Sequence, residues 1–287
     1  MIDPWILLYS FGSIFIFMLI MFFVAIIVKN NSIIDICWSL NFVIATLVSF
    51  FVNGFQNQTF YLSQIVLTGL IVIWGYRLAY HIAKRNLGKG EDKRYKERRD
   101  AWGKNFYVKT FFLIFMLQAL WAAIIVSPVV VANSVVRTEP WTSWIVYDVS
   151  AGLIVPLVVG EVIWILGFYF EVMGDRQLRL FIKNPENKGK VIETGLWKYT
   201  RHPNYFGEIT MSWGLFIIGI SLAFENPFFL ITLVGPILYT LLIRYVTGVP
   251  EVEKHLITKP GYKEYMERTS VLIPWIPKKK INKNKSD

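Results

Sequence analysis

Runs of apolar residues separated by short polar stretches divide this chain into seven segments long enough to cross a bilayer as helices. They cover about Trp5 to Val28, Ile33 to Val52, Tyr61 to Ala83, Phe111 to Ala132, Ile145 to Phe170, Tyr205 to Phe224 and Phe228 to Val246. A helix rises 1.5 Å per residue, so about 20 apolar residues span a hydrocarbon layer of about 30 Å. The pattern predicts an all-α polytopic membrane protein with about seven transmembrane helices. Only Glu225-Asn226-Pro227 separates the sixth and seventh spans, which predicts a tight helical hairpin. The first span follows Met1-Ile2-Asp3-Pro4, which has no basic n-region, and it is longer than a signal-peptide core; it is expected to be retained.

The polar stretches carry a sign. Lys29, the block Lys84 to Lys109, the block Arg176 to Arg201 and the tail from Arg244 alternate with loops that hold only Arg137. Basic loops stay in the cytoplasm, so the N-terminus is expected outside and the C-terminus inside. Residues 1–287 read as a single integral membrane domain, with an N-terminal four-helix part (1–140), a C-terminal three-helix part (141–277) and a basic tail (278–287). The net charge of +10 follows this topology and not a groove-sized patch, so no nucleic-acid partner is expected. The tail, with Lys278-Lys279-Lys280, Lys283 and Lys285, reads as a segment resting on anionic lipid.

With Cys37 as the sole cysteine, no intrachain disulfide and no multi-cysteine metal centre can form. His81, His202 and His255 show no metal-ligand spacing, and there is no glycine-rich phosphate loop. No metal is expected, and any cofactor has to bind among the helices.

Four constellations stand out against the apolar background. Glu171, Asp175 and Arg179 recur every four residues on one helical face, either as an Asp175 to Arg179 ion pair or as polar groups turned toward other helices. The block from Gly195 to Glu208 sets Lys198, Arg201, His202, Asn204, Tyr205 and Glu208 against an apolar run, with Lys190 upstream. Pro203 suits the first turn of a helix, whose free N–H groups can meet a phosphate. Asn204 and Glu208, one turn apart, offer an amide and a carboxylate to a ribose or a carboxamide. Trp74 to His81 places Tyr76 and Tyr80 beside Arg77, which either snorkels or pairs with an acid such as Glu161. Asp35 lies near the start of the second span, where a carboxylate must be paired, solvated or neutral.

Taken together, Gly195-Leu196, Arg201-His202-Pro203-Asn204-Tyr205-Phe206-Gly207-Glu208, Asp175-x-x-Leu178-Arg179 and Gly261-Tyr262-x-x-Tyr265 through Ile273-Pro274-Trp275 resemble the steroid 5-alpha-reductase superfamily. With the Gly88 to Tyr95 pattern, the chain is most similar to its DUF1295 branch, and the resemblance spans essentially all of it. It implies a seven-helix membrane fold with NADPH bound from the cytosol among the cytoplasmic halves of the helices. The carried-over cofactor residues are Asp175, Arg179, Lys190, Asn204 and Glu208, with Arg201, His202, Tyr205, Tyr262 and Tyr265 in the same motifs. Glu171 stands where steroid 5-alpha-reductases have an asparagine. Their carbonyl-polarising tyrosine and glutamate have Tyr76, Tyr80 and Asp35 as nearest counterparts.

The implied reaction is hydride transfer to a C=C bond conjugated to a carbonyl in a lipophilic, steroid-, sterol- or isoprenoid-like substrate drawn from the membrane lipid. The rival resemblance is to isoprenylcysteine and phospholipid methyltransferases, which bind S-adenosylmethionine. It rests on Arg201-His202-Pro203-x-Tyr205-x-Gly207; where those families carry paired glutamates and then Phe-Gly-x-x-Tyr, this chain has Glu251 and Glu253 split by Val252, with Pro260-Gly261-Tyr262. A non-catalytic lipid-binding protein is the third reading. The oligomeric state and the substrate's shape stay open at this level.

Overall fold

The computed structural model describes residues 2–135, 145–146, 151–220, 222 and 226–279; Arg137, Glu225 and the tail lysines Lys280, Lys283 and Lys285 lie outside the described residues. The helices are α1 (Pro4–Ile27), α2 (Ile33–Asn57), α3 (Leu62–Asn86), α4 (Lys93–Trp102), α5 (Phe106–Thr110), α6 (Leu117–Asn133), α7 (Ala151–Lys183), α8 (Pro203–Gly219), α9 (Val234–Leu241), α10 (Val249–Leu256) and α11 (Tyr262–Arg268). Two-residue strands, β1 (Phe60–Tyr61) and β2 (Ile145–Val146), pair in parallel, with Phe60 opposite Ile145.

Among the described residues, six helical stretches are long and apolar enough to cross a membrane: Pro4–Ile27, Ile33–Asn57, Leu62–Asn86, Lys93–Asn133, Ile154–Lys183 and Pro227–Leu256. The chain is an integral, multi-pass, helical membrane protein. The described part of α8 is 17 residues long, so the expected span at Tyr205 to Phe224 is not among the six. The fifth span also differs from its hydropathy limits. Ile145 and Val146 are extended in β2, and the helix then runs on to Lys183, carrying Glu171, Asp175 and Arg179 in unbroken helical register.

The residues form two compact units, Met1–Val158 with Leu215–Gly235, and Val159–Gly214 with Pro236–Asp287. In the first unit, Asp3 starts α1 by accepting the Trp5 backbone N–H at 2.8 Å, and Pro4 occupies the first turn, where a missing N–H costs nothing. Asn133 ties three helices of this unit together. Its amide nitrogen donates to Ser49 Oγ on α2 at 3.1 Å and to Thr68 Oγ1 on α3 at 3.2 Å, while Gln64 Nε2 reaches the Asn133 carbonyl at 3.3 Å. Such bonds hold helices together where lipid removes the hydrophobic drive between them. Phe216 stacks on Phe229 at 5.6 Å, and Asn226 accepts the Phe228 N–H at 3.1 Å, capping the start of the next helical segment.

Candidate functional site

Every residue predicted for the cofactor falls in the second unit; Tyr76, Tyr80 and Asp35 fall in the first. The second unit is built on a close approach of α7 and α8. Along α7 the buried positions Gly160, Trp164, Gly167, Glu171 and Gly174 recur at alternate steps of four and three, one seam of a helix. Gly207 and Gly214 of α8 meet that seam. A Cβ at Gly167 would stand 2.6 Å from the Gly207 carbonyl oxygen, and one at Gly214 would stand 2.8 Å from that of Gly160. Only glycine allows the backbones this near.

The approach places the motif residues. Gly174 lies under the start of α8, where a Cβ would be 3.0 Å from the Asn204 N, and the Asn204 side-chain amide donates to Asp175 Oδ1 at 3.3 Å. One turn on, the Tyr239 hydroxyl of α9 donates to Glu208 Oε2 at 2.6 Å. Glu171 is fully buried on the seam beside Gly207. Arg179 and Lys190 are exposed, as is Lys198. The loop before α8 is fixed to α7 as well: Leu196 N–H donates to Gln177 Oε1 at 2.9 Å and Trp197 Nε1 to the Gly174 carbonyl at 3.1 Å. Gly195, at φ +61°, makes the turn that brings Leu196 there.

Arg201, His202, Tyr262 and Tyr265 form a second cluster. Glu253 on α10 is its hub, accepting from Arg201 Nε at 2.8 Å and Nη2 at 3.4 Å, from His202 Nε2 at 3.0 Å and from the Tyr262 hydroxyl at 3.3 Å. Arg201 Nη1 donates to the carbonyls of Met266 at 3.1 Å and Thr269 at 2.9 Å, and the Tyr265 hydroxyl donates to that of Trp197 at 2.5 Å. Tyr205 stacks on His202 at 5.4 Å. Burial pulls the His202 pKa below its ordinary value even though the Glu253 carboxylate opposes it. The imidazole is therefore neutral at pH 7, and since a carboxylate only accepts, Nε2 carries the proton. Burial raises the hydroxyls of Tyr262 and Tyr265, so both stay protonated donors.

In the first unit Asp35 accepts Arg94 Nη2 and the Tyr95 hydroxyl, each at 2.8 Å. The neighbouring Glu91 accepts the backbone N–H and the side-chain amide of Asn31, at 2.9 and 2.8 Å, with Arg99 Nη2 at 2.9 Å, and Ser32 Oγ takes the Asp92 N–H at 2.7 Å. The Gly88 to Tyr95 motif thus clamps the loop that joins α1 to α2. Tyr76 and Tyr80 are 56% and 66% exposed, and Lys84 Nζ donates to Tyr80 at 3.5 Å. Arg77 belongs to the first unit and Glu161 to the second.

Glu91 supplies a pH signature. Burial raises its pKa, but the bonds from Asn31 and Arg99 outweigh this and hold it below the ordinary glutamate value. A carboxylate with a depressed folded pKa contributes stability that is complete above the unfolded value and is lost as pH falls through the folded one. Acid titration of Glu91→Gln, followed by tryptophan fluorescence in detergent, is expected to show a shallower loss of stability below about pH 4.5 than the parent protein.

Two features escaped the sequence reading. Tyr239 carries no motif and lies 31 residues from Glu208, so nothing pointed to their pairing. The glycine seam did leave a signal, since Gly160, Gly167 and Gly174 repeat every seven residues, as do Gly207 and Gly214. Among the described residues, no group of three His, Cys, Asp or Glu side chains is placed to hold a metal ion.

No curated protein and no solved structure matches the chain. A family profile described as "Protein of unknown function (DUF1295)" matches residues 21–269, most of the length and both polar clusters. The chain belongs to the DUF1295 family.

Proposed function

We propose that this protein is a membrane-embedded NADPH-dependent reductase of a C=C bond conjugated to a carbonyl in a lipophilic substrate, of the steroid 5-alpha-reductase type. In this reading the segment continuing from α8 completes a seventh span, and the N-terminus lies outside with the C-terminus in the cytoplasm. The supporting observation is the Asn204 to Asp175 bond, which joins the two motifs of that resemblance across 29 residues, on backbones brought together by Gly167, Gly174 and Gly207.

The donor set suits a dinucleotide. Arg179 and Lys190 are exposed cations that can face phosphates. Asn204, Asp175 and Glu208 offer the amide and carboxylate groups that hydrogen-bond ribose hydroxyls and a carboxamide. Asp175 fixes the orientation of the Asn204 amide, and Tyr239 fixes the Glu208 carboxylate. When bound, NADPH supplies the hydride. Charge then builds on the substrate oxygen, and the tyrosine hydroxyls of Tyr76 and Tyr80 are of the type that can donate to it. Asp35 is held by Arg94 and Tyr95, as a structural anchor would be. The rival cofactor, S-adenosylmethionine, has no phosphate to meet the exposed cations, and Glu253 of the rival motif is bound by Arg201 and His202.

The test is thermal stabilisation of the detergent-purified protein by NADPH, NADH and S-adenosylmethionine in parallel. A ligand at 100 times its Kd stabilises by about 2.7 kcal/mol. NADPH alone is expected to shift the transition. Asn204→Ala and Glu208→Gln should weaken its binding by about 10- to 100-fold, the worth of a hydrogen bond to a charged group, with less effect on unliganded stability. Tyr239→Phe should weaken it in the same direction. A shift with S-adenosylmethionine alone would replace the reductase by a methyltransferase. A substrate screen with conjugated enones then separates turnover from lipid binding without chemistry.

A further inference from the structure

The C-terminal segment presents apolar side chains it cannot withdraw. Ile273, Trp275 and Ile276 are 68%, 72% and 78% exposed, although they follow the last membrane-length helix, which ends at Leu256. The backbone beneath them is pinned. Thr200 bridges Ser270 in parallel register, Arg201 N–H donates to the Ser270 carbonyl at 2.8 Å, Trp275 N–H to that of Tyr199 at 2.9 Å, and Lys278 N–H to that of Arg268 at 3.0 Å. Arg268 is itself ion-paired to Glu193. Pro274 and Pro277 stiffen the segment by fixing φ.

The surroundings identify what meets them. Tyr199, held against Trp275 by the backbone bond, is exposed, and Lys198, Lys278 and Lys279 are exposed beside the two. Tryptophan and tyrosine with an aliphatic neighbour, fringed by lysines, is the composition of a segment lying in the headgroup layer of an anionic bilayer. Each lysine gains from the negative surface potential there. The chain's own spans already hold it in a membrane, so such an anchor works at high local lipid concentration.

We propose that residues 273–279, with Lys198 and Tyr199, form a rigid interfacial anchor that docks the second unit on anionic lipid. It requires no assignment of the cofactor or the reaction. The test uses full-length protein in nanodiscs of phosphatidylcholine, with or without phosphatidylglycerol. Cys37 is the sole cysteine and is buried, so Ile276→Cys in a Cys37→Ser background can be spin-labelled at one position. The label is expected to be more accessible to oxygen than to a water-soluble nickel chelate in anionic discs. Lys278→Gln with Lys279→Gln should lower that ratio at least twofold. In unlabelled protein, lipids brominated in the acyl chain should quench a tryptophan signal that Trp275→Phe removes. A label as open to nickel as one in bulk water, with no quenching assigned to Trp275, would overturn the anchor. A label shielded from both probes would overturn it in favour of a protein partner.

Discussion

Alanine at position 253 is expected to cost the second unit about 3–5 kcal/mol, the effect of removing one member of a buried ion pair. Glu253 satisfies the Arg201 guanidinium from one side while the carbonyls of Met266 and Thr269 satisfy it from another. Without the carboxylate, a buried cation keeps its desolvation cost and loses its counter-charge, and His202 and the Tyr262 hydroxyl lose the same acceptor. Thermal unfolding in detergent, together with limited proteolysis of the segment after α10, reads the effect. Glu253→Gln should fall between parent and alanine, because the amide oxygen still accepts from His202 or Arg201 while the charge is gone. Arg201→Lys should resemble alanine more than parent, since an ammonium cannot reach a carboxylate and two carbonyls in the planar fork of a guanidinium. A loss below about 1 kcal/mol for Glu253→Ala, the range of solvent-exposed pairs, would mean that the cluster is effectively hydrated.

His202 adds a pH dependence to the same cluster. Its folded pKa lies below the ordinary value, so the unfolded chain takes up the proton first, and stability falls as pH drops below about 6.5 toward the folded pKa. His202→Gln, which keeps a donor for Glu253 and does not titrate, should remove that slope while leaving the acid loss below about pH 4.5 to which Glu91 contributes.

The cluster also shows where sequence stops being informative. The spans were legible because bilayer burial needs an uninterrupted apolar run, a property local to each segment. Pairings between segments are not local. Glu253 lies 52 residues from Arg201, and Asp35 lies 59 from Arg94. Arg201, His202, Tyr262 and Tyr265 could be read as site residues from their motifs, but that they bond to one another, and that Glu253 is their centre, depends on how α10 and α11 fold back on the start of α8. Asp35 demanded a partner by physical argument, and the structure supplies two from the Gly88 to Tyr95 motif. Hydropathy set the start of the fifth span too early, because it registers Ile145 and Val146 as membrane-like although they are extended, whereas the shared helical face of Glu171, Asp175 and Arg179 was legible from their spacing of four, and the helix runs on to Lys183.

Leucine at position 207 should have the largest effect in the molecule, loss of folded protein on extraction. A Cβ there would lie 2.5 Å from the Glu171 N and 2.9 Å from the Glu171 Cβ, and it would also press on the Gly167 carbonyl. These neighbours are backbone atoms and the root of a side chain in mid-helix, which cannot swing aside as the tip of a flexible chain does. Relief requires α7 and α8 to separate, which would break the Asn204 to Asp175 bond and uncover Glu171. Gly207→Ala places the same Cβ and should already be severe, so yield in detergent should fall from glycine to alanine to leucine. Gly12, where a Cβ would meet nothing within 4 Å, is the control. Alanine there should be neutral or slightly stabilising, since it removes backbone freedom from the unfolded chain within a helix. Equal tolerance at positions 12 and 207 would show that α7 and α8 do not approach this closely, and would remove the backbone proximity on which the joining of the two motifs depends.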